Sequence, residues 1–270
     1  MLFAALAPAH LDDLATALER GRISALTTPQ GLARLFPADL ARPLHADLAR
    51  LFAQGITAPH LGALVRALAD ERRERQNLLD RTELVWSGPD VPAVRSRDTA
   101  VVVRDLCRQA SASVLIANFA FDRPRDDEAI GRARDLWRPL ADRMRDHPTL
   151  DVRLIANVER GPRDHHRSEI ELRTRFLAHF RDRLWPGDHL PARYYDPRAL
   201  HPDPANRAIQ HAKIVLVDRR RVFLTSANFT QAGQQRNIEA GLLLDDPNLA
   251  RQITANFDAL IHAGALARLA

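Results

Sequence analysis

The chain has 270 residues, with 39 lysines and arginines against 34 aspartates and glutamates, for a net charge of +5. That length leaves ample chain to bury a core, as one large domain or one domain with a small extension. A single cysteine, Cys107, excludes an intrachain disulfide and a multi-cysteine zinc site, and no apolar run approaches the length of a membrane span.

The opening segment, Met1 to Ala9, is faintly signal-like but lacks a basic stretch. It reads better as the lead-in to an amphipathic helix, and the protein is expected in the cytoplasm. Apolar residues then recur at helical spacing in Leu11 to Leu18, Leu32 to Phe36, Leu40 to Phe52 and Leu61 to Leu79. Thr28 before Pro29 and Thr57 before Ala58-Pro59 are expected helix starts, and Gly21 and Gly55 expected ends. Residues 1–80 are therefore expected to form a helical domain. Its Arg72-Arg73-Glu74-Arg75 run reads either as a phosphate contact of a helix-turn-helix-like unit or as the solvated face of a helical cap.

The pattern changes at Thr82, where a second domain, residues 81–270, is expected to begin. Strands are predicted at Glu83–Trp86, Val114–Phe121, Val152–Asn157, Ala192–Tyr195, Ile209–Val217, Val222–Leu224 and Ile238–Leu244. Helices are predicted at Asp98–Ala110, Asp126–Met144, Ser168–Leu184 and Leu249–Leu260, with loops at 87–92 and 197–204. Alternating helices and apolar strands predict an α/β fold, with a sheet covered by helices on both faces. Cys107, at helical spacing among apolar residues, reads as a small core residue.

Only one of the 39 basic residues is a lysine, Lys213, and it stands two positions after His211. In an arginine-rich chain, a retained lysine points to a task that a planar guanidinium cannot perform. A compact, rotatable ammonium suits a point contact to one phosphate oxygen. Four apolar residues separate Lys213 from Asp218, and Thr225-Ser226-Ala227-Asn228 and Asn237-Ile238-Glu239 follow. Residues two apart on a strand share a face, so His211 pairs with Lys213, Ser226 with Asn228 and Asn237 with Glu239. Three such pairs from neighbouring segments can converge on a site the size of one phosphodiester.

This H-x-K-x4-D…S-x-N pattern resembles the signature of the phospholipase D superfamily. The resemblance implies that superfamily's mixed sheet and assigns roles to these residues. His211 is the nucleophile on phosphorus, forming a phosphohistidine that water later cleaves, with Glu239 the carboxylate on its other nitrogen. Lys213 and Asn228 hold the non-bridging oxygens, Ser226 adds a hydrogen bond, and Asp218 orients the motif. No metal and no other cofactor is implied. Where the superfamily usually has glycine this chain has Thr225, which puts substrate fit in question. Members supply the acid for the leaving oxygen from a second H-x-K, which a chain with one lysine cannot hold. A second copy must then supply it, so a homodimer with the site on its axis is expected.

A narrower resemblance covers most of the chain. The helical first third, the Glu83-Leu-Val-Trp-Ser-Gly-Pro89 segment leading to Arg97-Asp98-Thr99, and the motif together resemble the phospholipase-D-like proteins of DISARM antiphage defence systems. This implies DNA as the substrate, with RNA the alternative, and other DISARM components as partners. The modest positive charge adds weak support for nucleic acid. The competing readings are a phospholipase D or phosphatidyl transferase, and a nucleic-acid-binding subunit with little activity alone. No membrane association is expected.

Three further groups of residues are open. Arg163, His165 and Arg167 could grip a backbone phosphate or form a solvated loop. Tyr194-Tyr195 could stack on a base or pack in the core. Asn118 and Asn157, near the ends of apolar strands, could face the site or be hydrogen-bonded inside the core.

Overall fold

The structure, a computed structural model, describes residues 6–89 and 97–269. The start of the opening segment and part of the expected 87–92 loop lie outside these residues. The chain divides into two compact units that meet in sequence between Asp80 and Arg81.

The first unit is helical: α1 (Pro8–Glu19), α2 (Pro29–Leu32), α3 (Ala38–Ala53) and α4 (Ala58–Asp80). The Thr28 side chain accepts a hydrogen bond from the Gly31 N–H and caps α2. Gly21 and Gly55 take left-handed backbone conformations, φ +68° and +84°, just beyond the ends of α1 and α3. Leu11, Leu14 and Leu18 of α1 meet Leu44 and Leu48 of α3 and Leu61 and Val65 of α4 in one apolar core. The basic run on α4 is largely engaged within this unit. Arg73 pairs with Asp12 at 2.6 Å and Asp70 at 2.7 Å, and Arg72 bonds the Leu6 carbonyl.

The second unit is an eight-stranded sheet. Its strands are β1 (Thr82–Ser87), β2 (Ser113–Asn118), β3 (Asp151–Ala156), β4 (Ala192–Tyr195), β5 (Ile214–Val217), β6 (Arg221–Thr225), β7 (Glu239–Asp245) and β8 (Ala267–Arg268). Their order is β1-β7-β6-β5-β2-β3-β4-β8, with β2, β3 and β4 parallel and every other neighbouring pair antiparallel. The mixed sheet expected from the sequence is therefore present. One face packs Ile116, Leu154, Val215 and Phe223 against α5 (Thr99–Gln109) and α6 (Asp127–Asp146), and against the π-helical turn Phe180–Leu184 that ends α7 (Glu169–His179). The opposite face packs Leu115, Ile155 and Leu216 against Leu249, Ile253 and Phe257 of α9 (Pro247–His262). Cys107 is buried on α5, and burial pushes its thiol up to about 12.

Two departures bear on the site. The motif strand begins at Ile214, not Ile209, so His211 and Lys213 lie on its lead-in. The reason is the neighbouring strand. β2 stops at Asn118 instead of running to Phe121, because the Asn118 amide donates to the Ala120 carbonyl at 2.6 Å and turns the chain. The short helix α8 (Gln231–Gln235), capped by Thr230, was not expected, and neither was β8.

Candidate active site

β5 runs antiparallel to β2 with Ala117 opposite Ile214, so the start of β5 lies beside the end of β2. β3 is parallel to β2, and β6 returns antiparallel to β5. The ends of β2, β3 and β6 and the starts of β5 and β7 therefore gather at one end of the sheet. Every motif residue except Asp218 lies there.

The lead-in to β5 is pinned at both sides. The Gln210 amide donates to the Ile155 carbonyl of β3 at 3.3 Å, and the Thr225 N–H of β6 donates to the Lys213 carbonyl at 3.1 Å. Between these ties, Lys213 Nζ lies 3.2 Å from His211 Nδ1 and donates to the His211 carbonyl at 3.0 Å. Phe119 closes the other side: its ring centre is 4.6 Å from that of His211 and 5.5 Å from Lys213 Nζ. Burial here pushes the Lys213 ammonium below the ordinary lysine range, against the opposing pull of Glu239.

Glu239 opens β7. One carboxylate oxygen accepts from the Ser226 hydroxyl, and the other accepts from the Asn237 amide at 3.2 Å. Ser226 Oγ also accepts from the Ala240 N–H at 3.1 Å. The expected pairing of Glu239 with His211 is not formed among the described residues. Glu239 is taken up by Ser226 and Asn237, and its charge bears on Lys213 instead.

Thr225, in the place of the usual glycine, turns its hydroxyl back onto its own loop, where it accepts from the Ala227 N–H at 3.0 Å. Asn228 is half-buried. Its Oδ1 accepts from the Ala120 N–H at 3.1 Å, and its backbone carbonyl accepts from the Gln234 amide at 3.1 Å. Among the described residues the Asn228 amide nitrogen has no partner, which leaves a donor available.

Asp218 stands apart. It follows the far end of β5, about 16 Å from Lys213 along an extended strand. Its carboxylate accepts from the N–H groups of Ser111, Ala112 and Ser113 at 2.7–3.0 Å and from the Ser111 hydroxyl at 2.9 Å. It thus fixes the β5 turn, where its own φ is +56°, to the start of β2. Burial raises its pKa, but these hydrogen bonds outweigh that effect and hold it below the usual 3.8. A depressed carboxylate pKa stabilises the fold above the unfolded value, and the stabilisation is lost as pH falls through the folded one. Asp218→Ala is expected to lower the unfolding free energy by about 2 kcal/mol at neutral pH. Denaturant titrations should show the gap from wild type closing below pH 3.8.

Arg163 and His165 are exposed on the loop after β3, and Arg167 pairs with Asp164 at 3.1 Å. The loop is built around Arg160, which donates to the carbonyls of Leu200, Asp164 and Arg167, and around Asp164, which also holds Arg175. Among the described residues, no hydrogen bond or ion pair ties Arg163, His165 or Arg167 to the motif residues. Tyr195 is a core residue, buried beneath the Arg173 guanidinium with its hydroxyl donating to Glu169 at 2.6 Å. Phe119 and Gln234 also adjoin the site, although Phe119 reads as part of an apolar strand and Gln234 lies on a helix too short for spacing to reveal.

The family described as "Cardiolipin synthase, PLD-like domain" matches residues 103–261. The chain belongs to this phospholipase-D-like family. All the motif residues, and the loop bearing Arg163, His165 and Arg167, fall inside the phospholipase-D-like match; the helical first unit falls outside it. The chain is also similar to the DISARM protein DrmC of Bacillus paralicheniformis, 23% identical over 162 residues. That similarity covers 60% of this chain and 56% of DrmC, so it spans little more than half of the relative. Among solved structures, Nuc from Salmonella typhimurium, a phospholipase D family member, is 18% identical with a TM-score of 0.41, over 69% of this chain and 96% of that one. NucT from Helicobacter pylori is 16% identical with a TM-score of 0.43, over 67% of this chain and 96% of that one.

Proposed function

We propose that this chain is a metal-independent phosphodiesterase acting on nucleic acid, most readily DNA, within a DISARM-type antiphage system. The observation that carries the reading is the pairing of Lys213 with His211, its ammonium 3.2 Å from the ring, on a lead-in pinned at both sides. A neutral imidazole nitrogen attacks phosphorus, and an N–P bond forms as the P–O bond to the leaving nucleotide breaks. Lys213 and the Asn228 amide nitrogen stabilise the charge on the non-bridging oxygens, work that a metal ion performs in other phosphodiesterases. Glu239 holds Ser226 in place and offsets the Lys213 charge when no phosphate is bound. The leaving oxygen takes its proton from the His211 of a second copy, in a homodimer with the site on its axis. The same group then accepts a proton from the water that cleaves the N–P bond. This returns free histidine and a phosphate monoester end.

The similarity to DrmC supports a defence setting, with other DISARM components as partners. The description of the matching family favours a second reading, phosphatidyl transfer to a lipid. Among the described residues, no helix is long and apolar enough to cross a membrane. Purified protein incubated in EDTA with labelled single- and double-stranded DNA, with RNA and with phosphatidylcholine vesicles separates these readings. The expected result is cleavage of nucleic acid that chelation leaves unchanged. Loss of cleavage in EDTA with recovery in Mg²⁺ would overturn the metal-independent mechanism, and turnover of lipid alone would favour the second reading.

A further inference from the structure

Asn118 has no exposed surface and ends β2, yet it reaches two segments of the candidate site at once. Its Oδ1 accepts from the Phe229 N–H at 3.0 Å, and its Nδ2 donates to the Ala120 carbonyl at 2.6 Å. Ala120 in turn donates its N–H to Asn228 Oδ1 at 3.1 Å. Asn118 thus closes a ring that runs through Ala120 to Asn228 and back through the adjacent Phe229. Its amide saturates both sides of that ring, which a side chain with only donors or only acceptors cannot do.

The backbone of Asn228 is clamped from behind as well. The Gln234 amide, itself buried, donates to the Asn228 carbonyl. Gly233 approaches so closely that a Cβ there would lie 2.6 Å from the Asn228 carbonyl oxygen and 2.9 Å from its nitrogen. With its Oδ1 engaged by Ala120, the Asn228 side chain cannot exchange its oxygen for its nitrogen without losing that bond. The ring therefore decides which atom of Asn228 is presented to a ligand.

We infer that Asn118 is a positioning residue, which orients the Asn228 amide so that its N–H donor faces the phosphate oxygen. This rests on the role proposed above for Asn228. A donor misplaced by about 1 Å can cost on the order of a hundredfold in rate. A flipped Asn228 would be worse, since it would present an oxygen to an anion.

The test uses Asn118→Ala, which removes both bonds, and Asn118→Asp, which keeps the acceptor for Phe229 but loses the donor to Ala120. Two readouts are needed. The first is the side-chain amide signal of Asn228 in ¹⁵N NMR spectra of the full chain, which reports orientation whether or not the protein turns over substrate. It is expected to shift in both variants while the signals of α1 to α4 stay in place. The second is hydrolysis of a simple phosphodiester such as bis(p-nitrophenyl) phosphate. The expected loss in kcat for Asn118→Asp is about a hundredfold with KM changed far less. Because Asn118 acts through Asn228, the double variant N118D/N228A should be no slower than N228A alone. An unmoved Asn228 signal, or losses that multiply in the double variant, would overturn the inference. If the Asn228 signal shifts but His211→Ala leaves hydrolysis unchanged, the positioning role stands and the catalytic reading fails.

Discussion

Replacing His211 with alanine is expected to slow phosphodiester cleavage by about 10⁴-fold or more, the scale of losing a covalent nucleophile. The side chain is exposed, so its removal opens no cavity and the melting temperature should stay near that of wild type. Among the described residues its ring meets Phe119 and Lys213, both of which are already partly exposed. The variant should still bind nucleic acid, since Lys213 and Asn228 remain. Filter binding alongside a cleavage assay separates the two properties. Retained cleavage would remove His211 from the mechanism, and lost binding would make it a binding group only.

Lys213→Arg should cost about a hundredfold in rate, comparable with removing one transition-state donor, although charge is conserved. The ammonium occupies a small space bounded by the His211 ring, the His211 carbonyl and the Phe119 ring. A planar guanidinium is broader. Placed there it displaces Phe119 or turns to form a bidentate pair with Glu239, and in either case it leaves the phosphate position. A second signature accompanies the rate. Burial lowers the Lys213 pKa, so wild-type activity should decline at alkaline pH before the 10.5 of a free lysine is reached. Lys213→Arg should lack that decline, because guanidinium stays protonated. Near-normal activity of Lys213→Arg would mean that charge alone matters here and that the lone lysine carries no special role.

The sequence made the α/β sheet legible because its strands are nearly continuous apolar runs, such as Val114 to Ala117 and Ile214 to Val217. The motif was legible because the only lysine in an arginine-rich chain stands beside a histidine. The limits of the strands were not. Asn118 ends β2 through a side-chain bond to Ala120, and spacing cannot distinguish such a cap from a polar residue inside a strand. The error carried over to the motif, which lost its partner strand and became a lead-in. The partner of Glu239 was also hidden. A carboxylate two residues after Asn237 and diagonal to Ser226 across the β6–β7 pair meets both, but which neighbour it takes depends on that register. Asp218 resembles a site residue by spacing alone. Its place at the far end of β5 follows from strand length, and its partners, Ser111 to Ser113, lie more than a hundred residues away in sequence.

Central to the proposed mechanism is the covalent attachment of His211 to phosphorus. Acid-free quenching of the protein during cleavage of a labelled oligonucleotide, followed by peptide mass spectrometry, tests it directly. An adduct is expected on the peptide containing His211, stable in base and lost in acid, as a phosphoramidate is. The adduct should be absent from His211→Ala. Cleavage at full rate with no adduct on that peptide, even at early times, would contradict it.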